Sequence, residues 1–267
     1  MITSVQNPRL KLVRQLQDKK HRLQEKRFVV EYWRELERAL ANQYRVDFVL
    51  YVPALLSTYE LDTLKQLDCD QFQVTADLLE KVGYRQNPTG IIAVLYIPDM
   101  IAPTLPRPDD NRPILALVAL EKPGNIGALL RTADAAGVAA VFLVDTGLDR
   151  YNPNLIRAST GACFLPNVYE LTTDAVLTFF QTHNYSIISA HLEGKTNLYD
   201  LDLVARSAIV LGSEDQGLTD QWARSCDTLM KIPMIGQIAD SLNVSVSGAI
   251  ILYESLRQRL TTSTLHE

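Results

Sequence analysis

Three stretches of this chain set polar, chemically capable residues beside glycine or proline where apolar strands give way to loops. The first, Glu121-Lys122-Pro123-Gly124-Asn125-Ile126-Gly127, runs on into Ala128-Leu129-Leu130-Arg131. Proline and glycine stop a strand here, Asn125 has the residue type of a helix N-cap, and Arg131 follows on the same helix. A fixed guanidinium in that position suits a phosphate or a polarised hydroxyl. The second stretch, Leu211-Gly212-Ser213-Glu214-Asp215-Gln216-Gly217, flanks a carboxylate with two glycines just after a strand. Glycine lets backbone approach a ligand closely. In the third, Lys231-Ile232-Pro233-Met234 ends a strand and Ser241-Leu242-Asn243-Val244-Ser245 opens a long helix, with Ser241 or Asp240 as its expected cap. Backbone groups at such a turn can hold the edge of a planar ring while Ile232 and Leu242 pack on its faces. Each stretch taken singly also fits an ordinary strand–loop–helix connection.

The elements that must position these residues alternate. Ile114 to Leu120 reads as a strand, Ile126 to Ala136 as a helix closed by Gly137, and Val138 to Val144 as a strand. Further strands are expected at Tyr185 to Leu192, Ala208 to Leu211 and Leu229 to Ile232. A final helix from about Leu242 to Leu260 should present Ala249, Leu252, Tyr253, Leu256 and Leu260 on one face. Short apolar strands between helices imply an α/β fold with a mostly parallel sheet covered on both faces, whose ligands bind beyond the carboxyl ends of the strands.

Upstream, a proline-rich stretch over residues 99–112 reads as a linker, because proline fixes φ and removes donors. It divides a small α/β domain at 1–98 from the larger one at 113–267. The small domain opens with a helical stretch from Asn7 to Glu25, whose Leu10, Val13, Leu16 and Leu23 suggest one apolar face. Phe28 to Val30, Val46 to Val52 and Gly90 to Tyr96 follow as strands, with helices at Trp33 to Asn42 and Leu61 to Leu67.

Charge and composition bound the partners. The net charge of −5 argues by itself against a polyanionic partner, yet residues 1–27 carry Arg9, Lys11, Arg14, Lys19, Lys20, Arg22, Lys26 and Arg27 against only Asp18 and Glu25. Such a cluster is a phosphate-binding footprint or a solvated helix face. The three cysteines and four histidines show no metal-ligand spacing, no apolar run is long enough to span a membrane, and the N-terminus lacks a signal peptide's apolar region. A cytoplasmic protein without structural metal is expected. A dinucleotide site is excluded, because Gly212-x-Glu214-x-x-Gly217 is not the glycine fingerprint such a site needs. Asp145-Thr146-Gly147 has no second copy, as an aspartic-protease dyad would require.

In this order and spacing, Asn125…Arg131, Gly212-x-Glu214-x-x-Gly217 and Ile232-Pro233-Met234…Ser241-Leu242-Asn243-Val244 resemble motifs one, two and three of the SpoU/TrmH RNA ribose methyltransferases, within the SPOUT superfamily. Phe28-Val29-Val30-Glu31 and Asn87-Pro88-Thr89-Gly90-Ile91-Ile92-Ala93 resemble landmarks of that family's small RNA-binding domain. Tyr32, where glycine is usual, and Asn87, Thr89 and Ser247 depart from the pattern.

The resemblance implies a C-terminal trefoil knot, a homodimer, S-adenosylmethionine as cofactor, and methylation of a ribose 2′-hydroxyl in RNA, in rRNA rather than tRNA. It implies that Arg131, Asn125, Glu214, Asn243 and Ser241 form the catalytic set. Gly212, Ile232, Leu242, Leu211, Met234, Ser189, Ala190 and Gly217 would bind the cofactor. Arg9, Lys11, Arg14, Lys19, Lys20 and Arg22 are the expected RNA contacts, and removing residues 1–27 is expected to weaken RNA binding while sparing the cofactor. A non-catalytic RNA-binding module and a base-methylating relative are the alternatives; the first should show damaged motifs and the second should lack the Ser-Leu-Asn-Val signature.

Overall fold

The computed structural model describes residues 1–84, 89–98, 105, 111–191, 194–213 and 217–263. Most of the expected linker, together with Asn87 and Pro88, lies outside the described residues. The chain divides into two compact units, one of 1–102 with 149–164 and the other of 103–148 with 165–267. The grouping of 149–164 with the first unit differs from the expected two-domain division at the linker.

The first unit contains α1 (Pro8–Gln15), α2 (Lys19–Glu25), β1 (Arg27–Val30), α3 (Trp33–Ala41), β2 (Val46–Tyr51), α4 (Thr58–Gln66), β3 (Asp70–Gln73), α5 (Ala76–Val82) and β4 (Ile91–Tyr96). Its sheet has the order β1-β4-β2-β3, with β4 antiparallel to both neighbours and β2 parallel to β3. Leu10, Val13 and Leu16 of the N-terminal segment pack with Leu78, Leu79 and Val82 of α5 against Val29, Leu50 and Val94 of the sheet. The expected single N-terminal helix is therefore two helices. Asp18 accepts from the Lys20 N–H at 2.7 Å and starts α2 afresh, so Leu23 leaves the apolar face and is 61% exposed. Phe28, on the other side of β1 from Val29, stacks on Tyr151 at 4.6 Å between ring centroids and lies 5.5 Å from Phe164. These contacts explain why 149–164, including α7 (Pro153–Ala158), joins this unit.

The second unit contains β5 (Ile114–Val118), α6 (Pro123–Ala136), β6 (Ala140–Val144), β7 (Val168–Leu171), α8 (Thr173–Thr182), β8 (Ser186–Ala190), β9 (Thr196–Asn197), β10 (Ser207–Leu211), α9 (Asp220–Ser225), β11 (Thr228–Lys231) and α10 (Val244–Ser263). The sheet order is β7-β6-β5-β10-β8-β11-β9, and each pairing of these strands is parallel. β5, β6 and β10 are buried at every residue, as strands covered on both faces must be. Phe142, Phe179, Phe180 and Trp222 fill one side of the sheet. α6 ends at Gly137, whose φ of +68° is the left-handed cap that glycine adopts without strain. The buried face of α10 is Val244, Gly248, Ile251, Leu252 and Ser255, whereas Tyr253 and Leu260, expected on the inner face, are 51% and 61% exposed.

Candidate active site

The path from β5 into α6 sets up the site. Ala119 follows β5 with φ +51°, a left-handed conformation that is costly for a non-glycine residue, and turns the chain toward Pro123. α6 begins at Pro123, after Lys122, so Asn125 lies in the first helical turn and not at the expected cap. Proline explains the earlier start: its φ is already helical and it has no N–H to leave unsatisfied.

The cap of α10 also differs from expectation. The Asn243 Oδ1 accepts from the Ser245 N–H at 2.9 Å and from the Ser245 hydroxyl at 2.6 Å, so Asn243 is the cap in place of Ser241 or Asp240. The same Asn243 donates from Nδ2 to the Asn125 Oδ1 at 3.1 Å. One turn further on, a Cβ on Gly248 would collide with Leu129 of α6 and lie 2.8 Å from the Leu211 side chain. The starts of α6 and α10 thus meet at the carboxyl end of β10, and three stretches separated by up to 118 residues in sequence share one place. Sequence reasoning missed Gly248. Its signal was a small residue in the middle of an otherwise bulky helical face.

The glycine-flanked loop has a different internal logic from the one expected. A Cβ on Gly212 would lie 2.6 Å from the Gly217 carbonyl oxygen, so the space left at Gly212 is filled by the chain itself and not by a ligand. Ser213 pairs with Gly217, whose N–H donates to the Ser213 carbonyl at 2.9 Å, and Gly217 has φ +66°. The two flanks of the loop, Ser213 and Gly217, are therefore held together at the end of β10. Glu214 itself lies outside the described residues.

Of the remaining site candidates, Arg131, Ser241 and Asn243 are exposed, Met234 is 40% exposed, and Ile232 and Leu242 are half-buried. Between Ile232 and Leu242 no backbone N–H or carbonyl engages another backbone group among the described residues. Peptide groups left open beside apolar side chains suit the polar edge and flat faces of a heterocycle. Ser189 does not belong to this surface. It is fully buried, and its hydroxyl donates to the Val210 carbonyl at 3.0 Å, holding β8 to β10; Ala190, at the strand end, is half-buried.

Several of the expected RNA contacts in the first unit have internal partners. Arg22 is 2% exposed, donates bidentately to Asp149 at 2.6 and 3.2 Å, and gives two further bonds of 2.8 Å to the Leu16 and Gln17 carbonyls. A guanidinium so buried, with four of its five N–H groups engaged, is out of a phosphate's reach, and the expectation for Arg22 is corrected on that ground. Arg9 pairs with Asp70 at 3.2 Å and lies 4.1 Å over the Phe72 ring, and Arg14 donates to the Lys81 carbonyl. Lys11, Lys19 and Lys20 are exposed. Because Leu10, Val13 and Leu16 are core residues, removing 1–27 would open the first unit and cannot isolate the role of the charges.

Burial raises the Cys163 thiol to about 12, and burial together with neighbouring aspartates raises Cys69 and Cys226 to about 11. None is an activated nucleophile. Among the described residues no cluster of three metal-binding side chains occurs, and no helix is long and apolar enough to cross a membrane.

The geometry agrees with the relatives this chain resembles. Residues 112–253 match the SpoU rRNA Methylase family and residues 7–93 match the MRM3-like substrate binding domain. The chain is 29% identical to the 23S rRNA (uridine(2479)-2′-O)-methyltransferase of Streptomyces viridochromogenes, over 89% of this chain and 85% of that one. A crystal structure of an RNA 2′-O ribose methyltransferase superposes with a TM-score of 0.84 at 39% identity, covering 97% of this chain and 99% of that one. The SpoU methyltransferase AviRb from Streptomyces viridochromogenes, in complex with the cofactor AdoMet, superposes with a TM-score of 0.85 at 26% identity, over 96% and 99% of the two chains. With its parallel sheet, its meeting of three motif-bearing stretches and more than half its length matching one family model, the chain belongs to the SpoU rRNA methylase family.

Proposed function

We propose that this chain transfers a methyl group from S-adenosylmethionine to the 2′-hydroxyl of a ribose in RNA, with ribosomal RNA as its target. The observation that carries the reading is the meeting of α6, the end of β10 and the start of α10, joined by the Asn125–Asn243 hydrogen bond. The donor set fits the cofactor: Ile232, Met234 and Leu242 offer apolar surface, and the open peptide groups between them offer hydrogen bonds to an adenosine. Leu211, Gly212, Gly217 and Ala190 would wall the same site. When bound, S-adenosylmethionine supplies a sulfonium methyl with a good leaving group, so the protein's task is orientation and charge stabilisation.

Arg131 is exposed on α6. A guanidinium stays charged at neutral pH, so Arg131 acts as an electrostatic stabiliser of the developing alkoxide and a neighbouring phosphate, not as a base. Asn125, Asn243 and Ser241 orient the ribose, and Glu214 is assigned to the same set on the motif alone.

Two structural expectations complete the proposal. A second copy of the chain would cover the outer face of α10, where Val246, Tyr253 and Leu260 recur at seven-residue spacing and are 47%, 51% and 61% exposed. A trefoil knot is supported by the sheet order, in which β10 enters between β5 and β8 and the segment after β11 returns to α6.

Labelled S-adenosylmethionine incubated with separate rRNA and tRNA fractions, followed by mapping of alkali-resistant linkages, tests reaction and target together. Arg131→Ala should lower turnover by about two to three orders of magnitude and leave cofactor affinity, measured by calorimetry, unchanged. An equal loss of cofactor binding would make Arg131 structural.

A further inference from the structure

Where β4 runs out, the sheet of the first unit ends in an aromatic ring with two guanidiniums beside it. The Tyr96 ring centroid lies 4.1 Å from the guanidinium carbon of Arg45 and 5.2 Å from that of Arg27. The ring is held in place, because its hydroxyl donates to Asp47 Oδ1 at 2.7 Å and the Tyr96 N–H donates to the Arg45 carbonyl at 3.0 Å. Lys26 is fixed at the same end, its carbonyl accepting the Ile97 N–H at 2.8 Å.

The two arginines differ in the donors they have left. Arg27 is half-buried, with Nε 3.3 Å from Asp47 and a terminal nitrogen 3.8 Å from Glu25. Arg45 is exposed, and among the described residues no carboxylate or carbonyl engages its guanidinium. Arg9, Arg14, Arg22 and Arg38 of the same unit are instead tied to Asp70, the Lys81 carbonyl, Asp149 and Thr160. A cation drawn to a ring face by its charge still has its in-plane N–H groups to give.

The mount beneath Arg45 is rigid. Gln43 turns left-handed at φ +63°, and the Tyr44 N–H returns to the Ala39 carbonyl at 3.0 Å to close α3. Tyr44 is 8% exposed, its ring packed 5.1 Å from Phe164 and 5.7 Å from Phe28. Arg45 thus leaves a fixed backbone and lies on a fixed ring, so little side-chain freedom remains to be lost when it binds. Lys26, Arg27 and Arg45 outnumber Glu25 and Asp47 here, and both carboxylates lie within 4 Å of Arg27. A planar fork with open donors in positive surroundings fits a phosphate, a group that fixes the register of an RNA without reading its sequence.

We propose that Arg45, held on Tyr96, contacts a backbone phosphate of the RNA substrate, which puts part of the RNA interface at this end of the sheet. The inference rests on the RNA-modifying reading above and names a contact outside the cations of α1 and α2.

The test is fluorescence anisotropy of the full-length protein with a labelled single-stranded oligouridine at several salt concentrations. Arg45→Gln should lower affinity about five- to tenfold at low salt and flatten the plot of log affinity against log salt by about 0.7, with the melting temperature unchanged. Arg45→Lys keeps the charge and should restore the slope while recovering only part of the affinity, because an ammonium lacks the fork. Lys65→Gln, which removes an exposed charge paired with Asp62 on α4, should change neither quantity and so controls for net charge. The parent slope retained in a folded Arg45→Gln, or an equal loss in Lys65→Gln, overturns the contact. Methyl transfer to rRNA by the parent, assayed in parallel, keeps the two readings apart: a parent that methylates while Arg45→Gln keeps the full slope refutes this contact alone.

Discussion

Arg22 of the first compact unit and Arg131 of the second are placed in opposite ways. In the first, Arg22 is buried against Asp149 and the carbonyls at the break between α1 and α2, while Arg9 and Arg14 are tied to Asp70 and the Lys81 carbonyl. In the second, Arg131 stands exposed on a helix whose opposite face is packed against α10. A cluster of positive charge in sequence is therefore a poor guide to free positive surface, because guanidinium forks satisfy loops and helix ends as readily as phosphates. A polar residue one or two turns into a helix that leaves a parallel strand is a better guide, since the rigid frame behind it holds it at the ligand face.

The largest expected effect breaks the buried half of this comparison. Arg22→Ala leaves Asp149, 13% exposed, without its partner and should cost about 3–5 kcal/mol in urea unfolding. Replacing both partners, Arg22→Met with Asp149→Leu, should recover much of that loss, because the pair's desolvation cost disappears with it. A loss below about 1 kcal/mol in the single variant would place Arg22 among surface pairs and reopen its reading as an RNA contact.

Next in size is Gly248→Ala. The added methyl must enter space held by Leu129 and Leu211, which are 0% and 2% exposed and have little room to shift. Overpacking of this kind should cost about 1–3 kcal/mol in thermal or urea unfolding. Cofactor affinity should fall with it, because the same contact sets the distance between the starts of α6 and α10. Retained stability and affinity would show that the close approach does not position the site.

How far the sequence revealed this arrangement depends on what kind of residue carried the information. Strands β5 and β6 are apolar at every position, β10 is apolar from Ala208 on, and all three were legible as strands, whereas β3, Asp-Gln-Phe-Gln, is a polar edge strand with no pattern to read. α8 was overlooked although Val176, Leu177, Phe179 and Phe180 give it a clear apolar face. The three motif stretches were legible as loops at strand ends, but their caps were not. α6 starts at Pro123 behind Lys122, ahead of the cap expected at Asn125, and Asn243 caps α10 in place of Ser241 or Asp240, a choice decided by a few tenths of a kcal/mol among similar capping residues. The place of 149–164 was invisible because it depends on Phe28, Tyr44, Tyr151 and Phe164 meeting from distant positions.

A smaller effect sharpens the question of which charges meet RNA. Changing Lys11, Lys19 and Lys20 together to glutamine should leave stability within about 0.5 kcal/mol, since all three are exposed. Against a single-stranded RNA it should flatten the plot of log affinity against log salt by about 2, near 0.7 for each contact removed. An unchanged slope at several salt concentrations would move the phosphate footprint away from the N-terminal helices.

The finest prediction separates two duties of one side chain. Asn243 caps α10 through Oδ1 and holds Asn125 through Nδ2. Serine caps a helix about as well as asparagine but cannot reach across as an amide donor. Asn243→Ser should therefore keep unfolding free energy within about 1 kcal/mol of the parent, the worth of one exposed hydrogen bond. Turnover should fall much further than stability, because Asn125 loses the group that fixes its orientation at the ribose. If Asn243→Asp, which keeps the cap but likewise lacks the donor, matches Asn243→Ser in turnover, the amide is the working group; full activity in both would reduce Asn243 to a cap, and the exposed half of the comparison would then rest on Arg131 alone.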